Sequence, residues 1–223
     1  LGLSPDTKVY DLVGTGCGGA IPNLQLGESL ARTMPGKAVV CVSVEICSAT
    51  FQMGNDISLI LSNAIFGDGA AAAILWDRPQ GLAVQGTKSR FATSYRDDVR
   101  YTYRGGQLHN RLTPQLPKII REIVPPFIRD LVQEHGLSVA DVTRWAIHPG
   151  GDKMIGGLQA ALELTDDHLR VTRATLERYG NMSSPTVLFE LERILESGVG
   201  KDEWLCVVAF GAGLSMYGLV MKG

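Results

Sequence analysis

Apolar positions fall in short runs whose period changes along the chain. Residues 8–13 and 38–44 are rich in β-branched side chains and residues 70–75 form a small apolar run, so each predicts a strand. Residues 21–32 carry helical spacing, and the stretch from 45 through 61 reads as helical or irregular. Residues 82–87 predict a further strand beside 70–75, whereas 88–113 are polar and without a clear period. Residues 116–135 have helical periodicity that Pro125 and Pro126 should break or kink. A short strand at 145–148, a helix at 152–161 and a terminal strand pair at 205–210 and 215–221 complete the series. Strands alternating with helices predict a layered α/β fold.

The run from Val9 to Pro22 reads as a buried strand, a glycine turn and a helix start, with Cys17 in the turn. The first amides of a helix have no internal partner and that end of the dipole is positive, so a thiol placed there is expected to be stabilised as thiolate. Gly14, Gly16, Gly18 and Gly19 clear side chains from around it. Two other readings fit the same residues. A free cysteine is commonly a small core hydrophobe, and Gly14, Gly16 and Gly19 satisfy the G-x-G-x-x-G dinucleotide pattern, with Glu45 near the place of its acidic partner.

Composition narrows the classes. The 223 residues are 45% hydrophobic and 20% charged, with a formal net charge of −2, enough to bury a core and without a basic block for nucleic acid or anionic membrane. Four cysteines, Cys17, Cys41, Cys47 and Cys206, show no metal-ligand spacing; Cys41 and Cys206 lie in apolar runs, as reduced core thiols would. A cytoplasmic protein without structural zinc, signal peptide or membrane span is expected. The start at Leu1, without methionine, reads as an incomplete or processed N-terminus.

A near-repeat links the two ends of the sequence. Cys17 opens a loop, helix and strand that reach Val42 after 25 residues, and Ser183 opens another that reaches Val208 after the same interval. The two helix starts are expected to converge on one pocket. His148 ends a strand just before Pro-Gly-Gly151, at a carboxyl edge where α/β proteins bind ligands. Asn181 stands at the mouth of the second repeated helix. Alone, His148 fits a turn histidine and Asn181 a cap; with Cys17 they form a nucleophile and two donors.

In its motifs the chain resembles the type III polyketide synthases, the chalcone synthase-like branch of the thiolase superfamily. The matching runs are Gly16-Cys-Gly-Gly19, Ile65-Phe-Gly-Asp-Gly-Ala-Ala-Ala72, His148-Pro-Gly-Gly151, Gly180-Asn-Met-Ser-Ser184 and Phe210-Gly-Ala-Gly-Leu214, in the family's order. The resemblance implies a duplicated thiolase-like α/β fold, with residues 1–87 as the end of a first half and 88–223 as the second. It implies a homodimeric acyltransferase that condenses malonyl-CoA with an acyl-CoA starter, without metal or redox cofactor. Cys17 would hold the acyl chain, and His148 and Asn181 would bind the thioester carbonyl and the enolate. Phe66 corresponds to a gatekeeper; Cys47, Thr50 and Ser183 line the pocket, and the Gly211 turn shapes it by backbone approach.

Three departures stand out. The family carries a long segment ahead of the position of Cys17, where this chain has 16 residues. A second gatekeeper phenylalanine usual in the stretch matching residues 106–117 has no aromatic counterpart, and Asp152 replaces a usual proline. Without that ring, long acyl starters and alkylpyrone or alkylresorcinol-type products are expected, provided Phe91, Tyr101 or Tyr103 does not fill the gap. The competing readings are a non-catalytic remnant or partner subunit of the same fold and, remotely, a cysteine peptidase; the latter lacks its usual C-G-[SA]-C-[WY] neighbourhood.

Overall fold

Continuous apolar strands at the C-terminal end dictate the centre of the molecule. The computed structural model describes residues 2–78 and 81–223. In β7 (Trp204–Gly211) successive side chains go to opposite faces of the sheet: Cys206, Val208 and Phe210 enter one core, and Leu205, Val207 and Ala209 the other. A strand buried on both faces needs such an unbroken apolar run. β8 (Ser215–Lys222) returns antiparallel from Gly211↔Ser215 to Trp204↔Lys222. Around this pair a four-stranded sheet has the order β3-β8-β7-β6, with β3 (Ala83–Phe91) antiparallel to β8 and β6 (Val142–Ile147) parallel to β7.

One face of this sheet is covered by α3 (Leu116–Gln133) and α4 (Asp152–Leu162), the other by α1 (Ala20–Thr33) and α6 (Thr186–Glu196). Helix α5 (Asp166–Tyr179), absent from the sequence reading, packs along β6 and α6. α3 continues through Pro125 and Pro126 rather than breaking there. Val124, Phe127 and Ile128 beside the prolines are fully buried, and that packing offsets the lost backbone bonds.

The first unit repeats the second. After α1, β1 (Val39–Glu45) pairs antiparallel with β2 (Gly69–Leu75), as β7 does with β8 after α6. One face of β1 packs Cys41 against α1, while Val40, Val42 and Val44 on the other are each more than half exposed. Between the strands lie a short 3₁₀ turn, Cys47–Thr50, and α2 (Ile57–Ile65). The polar stretch left unassigned by its sequence contains the end of β3 and a ribbon of β4 (Val99–Arg104) and β5 (Gln107–Leu112).

Two strand expectations are corrected. Residues 8–13 form no strand: Val9 and Val13 are largely exposed, with no neighbouring strand to pair with. Their β-branched composition is a preference for a pleated, half-buried surface, and no such surface is provided. Residues 82–87 do not pair with 70–75, whose partner is β1 throughout its length; as part of β3 they join β8 in the other sheet.

Candidate active site

Cys17 sits in a 3₁₀ turn, Gly16–Gly18, which leads through Gly19 into α1. The C-terminal end of β7 lies against this turn. A Cβ at Gly211 would collide with the Thr15 carbonyl oxygen and stand 3.0 Å from the Gly18 nitrogen, so only glycine lets the strand approach so closely. Gly211 thus lets the end of β7 seat the turn that carries Cys17.

The second helix start meets the first here. Ser183 Oγ donates to Cys17 Sγ at 3.4 Å, and the Ser183 amide donates to Asn181 Oδ1 at 2.8 Å. Ser183 holds φ +61°, a left-handed conformation rare for a serine, which indicates local strain at this junction. With Asn181 Oδ1 engaged, its Nδ2 makes no hydrogen bond among the described residues and remains available as a donor. The Asn181 backbone bridges to the Phe66 segment, its amide donating to Ile65 O at 2.8 Å and its carbonyl accepting from Gly67 N at 2.9 Å. Gly180, at φ +71°, permits this crossing, since a Cβ there would lie 2.8 Å from Ile65 O.

His148 follows β6, and its amide donates to Val208 O on β7 at 2.8 Å. Its ring stands edge-on to Phe210, with centroids 5.4 Å apart, one residue before Gly211. Strand β7 thus ties His148 to the Cys17 turn. The imidazole is almost wholly buried, and burial alone pulls its pKa down to about 4, so it is neutral at pH 7. Its Nδ1 has no hydrogen-bond partner among the described residues.

The thiolate expectation does not hold. Burial pushes the Cys17 thiol up to about 11; Ser183's hydrogen bond lowers it by less, and Glu45's negative charge adds to the rise. Glu45, at the end of β1, accepts from Ser184 Oγ at 2.8 Å. Cys17 is half-buried, and the loss of solvation on burial is the largest influence on its thiol. Nor is His148 charged at pH 7: the thiol and the imidazole are both neutral in the resting protein.

Phe66, Cys47 and Thr50 line a common cavity of about 240 Å³ with Gln52, Leu108 and Asn110. Ser183 is not on that wall; it contacts Cys17 instead. The aromatic-free stretch enters this cavity through Leu108 and Asn110 of β5. Opposite Asn110 on β4 is Tyr101, whose Cε2 would be 3.6 Å from a Cβ on Gly16. An aromatic from the neighbouring strand therefore reaches the nucleophile turn, contrary to the proviso that Tyr101 stays away. Tyr101 and Glu45 join the neighbourhood of Cys17 through these contacts; no motif marks Tyr101, and Glu45 falls in sequence only near the acidic position of the dinucleotide pattern.

The fold recurs in solved structures. The chain superposes with TM-score 0.93 and 25% identity on 1,3,6,8-tetrahydroxynaphthalene synthase from Streptomyces coelicolor A3(2), covering 99% of this chain and 64% of that one. The fold is thus the thiolase-like α/β fold of such enzymes. Residues 93–223 match the family described as chalcone and stilbene synthases, C-terminal domain, and residues 1–96 match FAE1/type III polyketide synthase-like protein. The chain belongs to the chalcone and stilbene synthase family, the type III polyketide synthases. It is 31% identical to type III polyketide synthase 21 of Oryza sativa subsp. japonica, over 100% of this chain and 60% of that protein. Identity to 3,5-dihydroxyphenylacetyl-CoA synthase of Streptomyces toyocaensis is 30%, over 96% and 57%. The chain spans about 60% of the length of these relatives. Membership displaces the dinucleotide and cysteine-peptidase readings. Among the described residues, no helix is long and apolar enough to cross a membrane.

Proposed function

We propose that this chain carries the condensing site of a type III polyketide synthase, with Cys17 as acyl carrier and His148 and Asn181 as carbonyl donors. The observation that carries the reading is the junction at Cys17, where Ser183 bonds the thiol and also fixes Asn181 with its Nδ2 free. Cys17 Sγ attacks the carbonyl of an acyl-CoA starter; the bond to CoA sulfur breaks, and the thiol proton leaves with the CoA thiolate. Malonyl-CoA then loses CO₂, and its enolate oxygen is held by Asn181 Nδ2 and a His148 N–H. A neutral imidazole suits this role because its remaining N–H is a fixed donor and no bulk-solvent counterion is needed. The enolate carbon attacks the Cys17 thioester, the carbon–sulfur bond to Cys17 breaks, and the chain grows by one acetate unit on CoA. Transfer back to Cys17 repeats the cycle.

The donors supply the electrostatic stabilisation, so the proposal includes no metal or redox cofactor. Acyl-CoA and malonyl-CoA are the substrates, and a pyrone, resorcinol or related polyketide is the product. A homodimer in the cytoplasm completes the proposal. The second reading, a partner subunit without turnover, draws on the exposed apolar face of Val40, Val42 and Val44. One assay separates the two. With malonyl-CoA and a starter panel, the native protein should release CO₂ and form polyketide, and Cys17→Ala should stop product formation while leaving CO₂ release. No CO₂ release by the native protein favours the subunit reading.

A further inference from the structure

The edge of the four-stranded sheet beside the site is closed by side chains. β6 is an edge strand, so the amides on its outer side have no strand to bond. The His148 amide faces inward to Val208, whereas the Ile147 amide faces outward and donates to Thr172 Oγ1 of α5 at 3.3 Å. Thr172 Oγ1 in turn donates a hydrogen bond to Glu190 Oε2 of α6 at 2.8 Å. Ile147, Thr172 and Glu190 are all fully buried. A buried carboxyl at the end of such a relay has a cost that a leucine in its place would avoid, unless the relay itself is used.

We infer that Glu190 is a positioning residue for His148: through the Thr172 hydroxyl it secures the outward Ile147 amide and so fixes where the next residue's imidazole stands. The inference rests on the assignment of His148 to the condensing site. No charged side chain competes for the Glu190 carboxyl. On α5, Arg170 pairs with Asp167 and Arg173 with Asp152, while Arg178 lies over Tyr179; on β6, Arg144 pairs with Glu203. Isolated in this way, the acid keeps its proton at neutral pH, burial pushing it up to about 8 against the weaker lowering by Thr172 and, less, by the Ile147 amide itself, which Glu190 therefore holds directly as well as through Thr172. The protonated acid presents one accepting oxygen to Thr172, and the second oxygen, Oε1, is unpartnered. Glutamine reproduces that arrangement; leucine removes the acceptor.

The experiment compares Glu190→Gln, Glu190→Leu, Thr172→Val and Thr172→Ser in the native chain with two readouts. In malonyl-CoA decarboxylation, Glu190→Leu and Thr172→Val should lower kcat by roughly tenfold or more with little change in KM, as expected for a displaced donor. Glu190→Gln and Thr172→Ser should retain the native rate. In the second readout, NMR of isotope-labelled histidine, the same two defective variants should shift or split the His148 ring signals, and the two conservative variants should not. Equal loss in Glu190→Gln, or lower melting temperature in Glu190→Leu with unchanged kcat and unchanged His148 signals, overturns the inference. If the native protein releases no CO₂, the condensing assignment fails, and the histidine spectra alone decide whether Glu190 places the ring.

Discussion

Ser183 Oγ lies 3.4 Å from Cys17 Sγ across 166 residues of sequence, joining the starts of α6 and α1. The bond works against a larger effect, burial, and a smaller one, the nearby Glu45 carboxylate, both of which favour the protonated sulfur. Activation of the nucleophile is therefore a balance among named neighbours rather than a gift of the helix dipole.

The balance predicts the reactivity of the thiol. Iodoacetamide labelling of native Cys17 should be slow at pH 7 and rise by about tenfold per pH unit toward its pKa of about 11, because only the thiolate reacts. Glu45→Gln should accelerate labelling at neutral pH, and Ser183→Ala should slow it. Mass-spectrometric time courses check both directions. Acceleration by Ser183→Ala, or a rate independent of pH, contradicts the assignment of causes.

Donor removal should affect carbonyl chemistry more than substrate capture. His148→Ala and Asn181→Ala should each reduce malonyl-CoA decarboxylation by on the order of 100-fold, the usual loss for one oxyanion-hole donor. Steady-state CO₂ release measures it, with KM following more weakly. A decrease confined to KM would assign the two residues to binding alone.

Much of this site was legible before any coordinates because its parts are local signatures. The glycines around Cys17, the strand-ending His148 and the amide Asn181 each occupy a short motif, and the repeat interval foretold that their helix starts meet. What escaped the sequence depends on tertiary partners. Residues 8–13 look like a strand but have no neighbour, residues 82–87 choose β8 over β2, and α3 keeps its helix through two prolines. The protonation of Cys17 and His148 escaped for the same reason, because enclosure is not written in any single segment.

Stability should depend on pH through two buried groups with opposite signs. Glu190 keeps its proton to about 8 when folded against an ordinary 4.5, so the folded state binds the extra proton and stability falls as pH rises from about 4.5 to 8. At about 1.4 kcal/mol per pH unit the loss has an upper bound near ~5 kcal/mol. His148 stays neutral when folded down to about 4 against an ordinary 6.5, so its contribution is present above 6.5 and lost as pH falls toward 4. Urea unfolding across this range should show the alkaline decline reduced in Glu190→Gln and the acid decline reduced in His148→Gln. Curves parallel to the native one at every pH would mean that neither group titrates in the folded core as described.

If the chain selects an acyl starter as proposed, Tyr101 as well as Phe66 should govern the choice. The family's second gatekeeper position falls in a stretch without aromatics here, which by itself predicts a wide passage and acceptance of long acyl chains. Yet Tyr101 stands across the ribbon from Asn110 and reaches the Gly16 turn beside Cys17, while Asn110 and Phe66 share the neighbouring cavity. A ring supplied from β4 can narrow the passage that β5 leaves open. Native protein should accordingly favour starters shorter than an open passage admits, and Tyr101→Ala should shift the ratio of kcat/KM toward fatty acyl-CoA. Removing a packed ring alters selection by on the order of 10-fold to 200-fold when the contact amounts to about 1–3 kcal/mol. Phe66→Ala should widen the cavity from its other side, and the double variant should exceed either alone. Competition between short aromatic and long aliphatic CoA esters, read by product mass, gives the ratios. If Tyr101→Ala leaves them unchanged while Phe66→Ala moves them, the constriction lies at Phe66 and the ring on β4 has no part in choosing the starter.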